Sequence, residues 1–96
     1  MPFDSTLDPT TEVILGAIDY LERCGWTKGA AIVGSQRCIW GALREAAMPN
    51  CRFVGAASDR IKRANGITVD LPFWNDAQER TKEQVLEALR NSLITA

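Results

Sequence analysis

Apolar residues recur at helical spacing in four stretches of this chain, each bounded by residues that start or stop helices. In the first, Ile14, Ala17, Ile18 and Leu21 form one stripe. Asp8-Pro9 precedes it, an acceptor side chain at the N-cap followed by proline at the first helical position, and Glu12 falls in the first turn. Gly25 closes it, so the pattern predicts a helix over 9–24, with residues 1–7 as a loose arm. The second stripe, Ile39, Ala42, Leu43, Ala46 and Ala47, predicts a helix over 38–48 that breaks at Met48-Pro49-Asn50. Phe53, Val54, Ala57, Ile61 and Ala64 predict a third over 51–65, capped by Asn50 and stopped by Asn65-Gly66. Val85, Leu86, Leu89 and Leu93 predict the last over 82–93, with Thr81 and Gln84 spaced as a capping box at its start.

The segments between these stripes are less regular. Ala30 to Val33 is a short apolar run, Gly34-Ser35-Gln36 reads as a turn, and Arg37 to Trp40 returns as a strand. That is a small β-hairpin near 30–40. The competing reading starts a helix directly at Ser35 or Gln36. Trp26 is expected to fold back onto the last turn of the first helix. Ile67 to Phe73 contains Pro72 and reads as extended, with a short edge strand at 67–69. The fold class is therefore α+β, mainly α, in a single domain spanning 1–96.

Composition narrows the function classes. Apolar residues make up 46% of the 96 and charged residues 24%, the balance of a chain that folds around one core. A net charge of −1 argues against general affinity for nucleic acid, which needs a basic face. Arg60, Lys62 and Arg63, beside Asp59, read as a solvated helix face. No stretch approaches the ~20 apolar residues of a membrane span. The N-terminus has neither the basic region nor the apolar run of a secretory signal. Cys24, Cys38 and Cys51 are odd in number and widely spaced, which suits reduced thiols in a cytoplasmic protein rather than a disulfide framework. The chain has no His, so the commonest metal ligand and the commonest general base are both missing. No metal and no cofactor is expected.

Candidate sites are few. Trp74-Asn75-Asp76, followed by Arg80-Thr81, stands out. Trp74 is expected to be buried and to pin its segment to the core. Asn75 and Asp76 are expected to accept hydrogen bonds from backbone N–H groups of the turn leading to Thr81, with Asp76 and Arg80 spaced for a local ion pair. The alternative points Asn75 and Asp76 into a cleft to contact a ligand. Cys38 lies near a predicted helix N-terminus, where a thiolate is favoured, and is the one candidate nucleophile. Without His a cysteine–histidine mechanism cannot be completed, and an isolated Cys between apolar neighbours is ordinarily core. Trp40 falls beside Leu43 and Arg44 on the second helix, part-exposed next to small residues, as an interface anchor would be. The second and third helices over 38–65 also have the outline of a helix-turn-helix.

Four blocks together resemble a family of small uncharacterised bacterial and phage proteins. They are CGW with TKGA at 24–30, Cys38 shortly before Gly41-Ala42-Leu43, WNDA at 74–77, and RT with EQVLxALR at 80–90. The resemblance runs from about residue 12 to residue 92. It implies a compact domain from a bacterium or phage and carries no activity with it. The expected function is a small interaction or regulatory module that binds a protein partner or itself. A DNA-binding accessory protein is the alternative. A small enzyme or ligand-binding protein using Cys38, Asn75 and Asp76 comes third.

Overall fold

A computed structural model describes residues 8–30, 32–48 and 51–94. The order of elements is α1 (Pro9–Cys24), β1 (Ile32–Val33), β2 (Gln36–Arg37), α2 (Ile39–Ala47), a 3-10 turn (Cys51–Phe53), α3 (Val54–Asn65), α4 (Leu71–Asn75) and α5 (Lys82–Ile94). The class is α+β and mainly α, as the periodicity predicts. The expected arm at 1–7 and the cap at Asn50 lie outside the described residues.

The helix ends follow local chemistry. Asp8 Oδ1 accepts from the Thr11 N–H at 2.7 Å, which holds the Asp8 carboxyl below its ordinary pKa. Gly25, at φ 99°, returns its N–H to Leu21 O and ends α1. The capping box of α5 forms in both directions: Thr81 N donates to Gln84 Oε1 at 3.1 Å and Gln84 N to Thr81 Oγ1 at 3.2 Å. The third predicted helix divides, because residues 51–53 take 3-10 geometry before α3 starts at Val54.

The hairpin pairs Ile32 with Arg37 and Val33 with Gln36, so its loop is Gly34-Ser35. The expected second strand over 37–40 is too long. Cys38 leaves the strand as the N-cap of α2, and Ile39 is already helical. A helix start at Ser35 or Gln36 is likewise ruled out by the pairing. Arg37 fixes the hairpin to α2 by donating from Nε and Nη2 to Glu45 Oε2, at 3.0 and 2.9 Å, and lies over the Tyr20 ring of α1.

The largest correction falls on 67–75. No edge strand forms at 67–69, and Leu71 to Asn75 is a helix with Pro72 in its first turn. Proline suits that place because the first turn of a helix uses no N–H there.

The core joins all five helices through residues such as Ile14, Leu21, Ile39, Leu43, Ile61, Leu71, Val85 and Leu89. Helix α1 packs chiefly on α2 and α3 on α5. The approach of α1 to α2 requires Gly16: a Cβ there would sit 2.9 Å from Ala46 Cβ.

Candidate binding site

Asn75 is fully buried and lies where three segments meet. Its Oδ1 accepts from Trp26 Nε1 at 2.6 Å and from the Ile39 N–H at 3.0 Å. Its Nδ2 donates to Thr27 O at 3.1 Å and to Asp76 Oδ1 at 3.0 Å. Both donors and both acceptor positions of the amide are thus occupied. Asp76 Oδ1 also accepts from the Gly29 N–H at 2.9 Å. Lys28 Nζ completes the junction by donating to Ala77 O and Gln78 O at 2.9 and 2.8 Å. The segment after α1 is thereby clamped to the segment after α4, with the first turn of α2 held between them.

Asn75 and Asp76 do satisfy backbone donors, but not the expected ones. The N–H groups belong to Ile39 and Gly29 rather than to the turn before Thr81. Arg80 does not pair with Asp76. Its Nε donates to Trp74 O at 2.9 Å, and its guanidinium lies 3.8 Å from the Trp74 ring centroid. Trp74 is half-buried rather than buried, packed on the core on one side and covered by Arg80 on the other.

Cys38 comes close to Asn75 and Asp76, as the third functional reading requires. It caps α2, its Sγ accepting from the Gly41 N–H at 3.4 Å, and is only 3% exposed. It lines a small cavity of about 220 Å³ together with Gly29, Ala30, Trp40, Pro72 and Asp76. Asn75, with every polar atom engaged, has nothing left for a substrate.

Trp40 stands between that cavity and a larger one of about 400 Å³, lined by Trp40, Gly55, Ser58, Asp59, Lys62, Asp70, Leu71 and Pro72. Trp40 and Pro72 border both, so α2 and α4 form the wall they share. Phe73, next in the chain to Pro72, is 76% exposed. Among the described residues, no hydrogen bond or ion pair engages the side chains of Asp59, Lys62 or Asp70. Asp70 is the N-cap of α4 yet makes no side-chain cap, because Pro72 removes one of the N–H groups it could reach.

Asp59, Lys62, Asp70 and Pro72 were missed as site residues in the sequence. The signal for Asp70 is its place just before Leu71-Pro72, a variant of the Asp8-Pro9 start. Among the described residues, no group of three or more His, Cys, Asp or Glu side chains converges to hold a metal ion. Arg60 leaves the basic face predicted for it. Its Nε donates to Ser92 O at 2.9 Å and its Nη1 to Thr11 Oγ1 at 2.8 Å, joining α3 to α5 and α1.

The chain belongs to the family of unknown function DUF6197, whose model matches residues 5–92. No curated protein and no solved structure matches it. Membership agrees with the expectation of a family of uncharacterised function covering nearly the whole chain. Three of the four sequence blocks meet at the Asn75 junction: CGW-TKGA supplies Trp26, Thr27, Lys28 and Gly29, WNDA supplies Asn75 and Asp76, and the block with Cys38 supplies the first turn of α2.

Proposed function

We propose that this domain is a small interaction module of a bacterial or phage protein, working in the cytoplasm and holding a protein partner on the face formed by Trp40 and Pro72. The observation that carries the reading is the larger cavity: an aromatic wall and three charged side chains that engage no other described residue. A monomer's polar groups are ordinarily either exposed singly or engaged, and concave sites with an aromatic wall and a few free polar groups are where ligands bind. Phe73, next in the chain to Pro72, adds exposed apolar surface on α4. Cytoplasmic placement is supported by the three free thiols. Among the described residues, no helix is long and apolar enough to cross a membrane.

A protein partner is favoured over DNA because the net charge is −1 and Arg60 turns into the helix packing. It is favoured over an enzymatic use of Cys38 because that thiol caps α2 and is almost wholly buried.

The test is photo-crosslinking from a photoreactive residue at Phe73 in cells of the native source, with the same residue at Glu87 on α5 as control. A discrete adduct from position 73 alone is expected, at the mass of a partner or of a second copy. No adduct from position 73, or the same adducts from both positions, overturns the reading.

A further inference from the structure

We infer that the larger cavity receives a cationic side chain, arginine or lysine, carried on an exposed segment of the protein partner; this rests on the reading of that face as the contact surface. The three tryptophans supply the first part of the case. Trp74 carries Arg80 at 3.8 Å from its centroid, and Trp26 carries Lys28 at 5.9 Å. Trp40 carries no cation from the described residues, although it is only half-buried and faces the cavity. Tryptophan is the strongest aromatic site for a cation, and of the three Trp40 is the one that carries none among the described residues.

The charges around it supply the second part. Asp59 and Asp70 line the same cavity against a single Lys62, so the lining is net negative. Neither carboxylate is engaged by the fold, and each is acceptor-only, ready for a donor-only group such as guanidinium or ammonium. Two carboxylates fall short of the oxygen set that a hard divalent cation needs. Lys62 also keeps the net charge of the lining low, which favours a monovalent organic cation over a metal ion. The cavity, at about 400 Å³, lies in the size range of small-ligand sites and has room for one long side chain with bridging water. Val69 and Phe73, which flank the Asp70–Pro72 stretch in the chain, are 42% and 76% exposed. That apolar surface suits the neighbours of a side chain on a peptide and offers nothing to a free cation.

The experiment uses the full chain labelled with ¹⁵N and three peptides that differ only at a central arginine, citrulline or glutamate, with free arginine amide as a fourth probe. The arginine peptide is expected to shift the Trp40 indole N–H and the amides of Asp59 and Asp70 saturably. Citrulline, which keeps the shape and loses the charge, is expected to bind at least about tenfold more weakly. Asp59→Asn with Asp70→Asn should weaken the arginine peptide by a similar factor, and Lys62→Met should tighten it several-fold. Equal binding of arginine and citrulline peptides, or full affinity in the doubly substituted chain, overturns the inference. Free arginine amide binding as tightly as the peptide overturns its protein-borne source. If position 73 still crosslinks a partner while the arginine peptide shifts nothing, the inference fails and the contact surface stands; if both results are negative, both fail.

Discussion

The Asn75 junction and the larger Trp40 cavity are linked by the small cavity that Asp76 and Pro72 both line, and they treat polar groups in opposite ways. At the junction every donor and acceptor of Asn75 has a partner within 3.1 Å. In the larger cavity Asp59, Lys62 and Asp70 have none among the described residues. The difference separates structure from availability. A buried amide left unsatisfied would be costly, so saturation at Asn75 is a condition of folding. An exposed carboxylate is satisfied by water and can exchange that water for a ligand. The residue that looks most like chemistry in the sequence is thus the least available, and the carboxylates that look like ordinary surface are the most available.

Replacing Asn75 is the strongest way to break this contrast. Asn75→Ala leaves the Trp26 Nε1–H, the Ile39 N–H and Thr27 O without their amide partner, the first and last part-buried and the Ile39 N–H buried. The expected loss is about 2–4 kcal/mol, since each orphaned buried group costs roughly 1–3. A urea titration that returns the wild-type midpoint would show that water replaces the amide and that the junction is not structural. A more selective cut is Trp26→Phe, which keeps most of the ring and removes only the donor to Asn75 Oδ1. About 1–2 kcal/mol is expected, because the Ile39 N–H still holds that oxygen. Thermal melts of Trp26→Phe and Asn75→Ala, alone and combined, should be far from additive if one network links them.

How much of this was readable in advance depends on range. The caps of α1 and α5 were legible because Asp8 and Thr11, or Thr81 and Gln84, are three residues apart. The four helical stripes were legible because one face of each meets the core. Helix α4 was not, because five residues are too few to show a period and Pro72 reads equally well as a strand edge. The Asn75 junction was half legible. Asn and Asp after a Trp announce satisfied backbone donors, but Trp26 and Asn75 are 49 positions apart and no local pattern joins them. The cavity was not legible at all, since Trp40, Asp59 and Asp70 come together only once α2, α3 and α4 are packed.

Arg80 sharpens the comparison at an intermediate scale. It is bound to Trp74 by its Nε and by stacking, so it belongs with the committed groups although it is half-exposed. Arg80→Ala should lower stability by about 1–2.5 kcal/mol, the sum expected for one part-buried hydrogen bond and one exposed cation–π contact. Arg80→Lys should recover little of it, because an ammonium cannot stack as a guanidinium does. Differential scanning calorimetry of the two variants checks this, and full recovery by lysine would mean that charge alone matters at Trp74.

The smallest effect is expected where the polar groups are free, and it is the more telling for being small. Asp70→Asn removes a carboxylate that caps nothing and pairs with nothing among the described residues, so stability should move by no more than about 0.5 kcal/mol. Asp8→Asn gives the matched control. That side chain does cap, and its carboxyl is held below its ordinary pKa chiefly by the Thr11 N–H. A depressed folded-state pKa contributes stability above the unfolded value and loses it as pH falls through the folded one. The wild-type midpoint should therefore fall on acidification through the carboxylate range. Asp8→Asn should flatten part of that fall, and Asp70→Asn should leave this part of it in place. If Asp70→Asn instead destabilised the chain as much as Asp8→Asn, the Asp70 carboxylate would be part of the scaffold, and the line between committed and available groups would have to be redrawn.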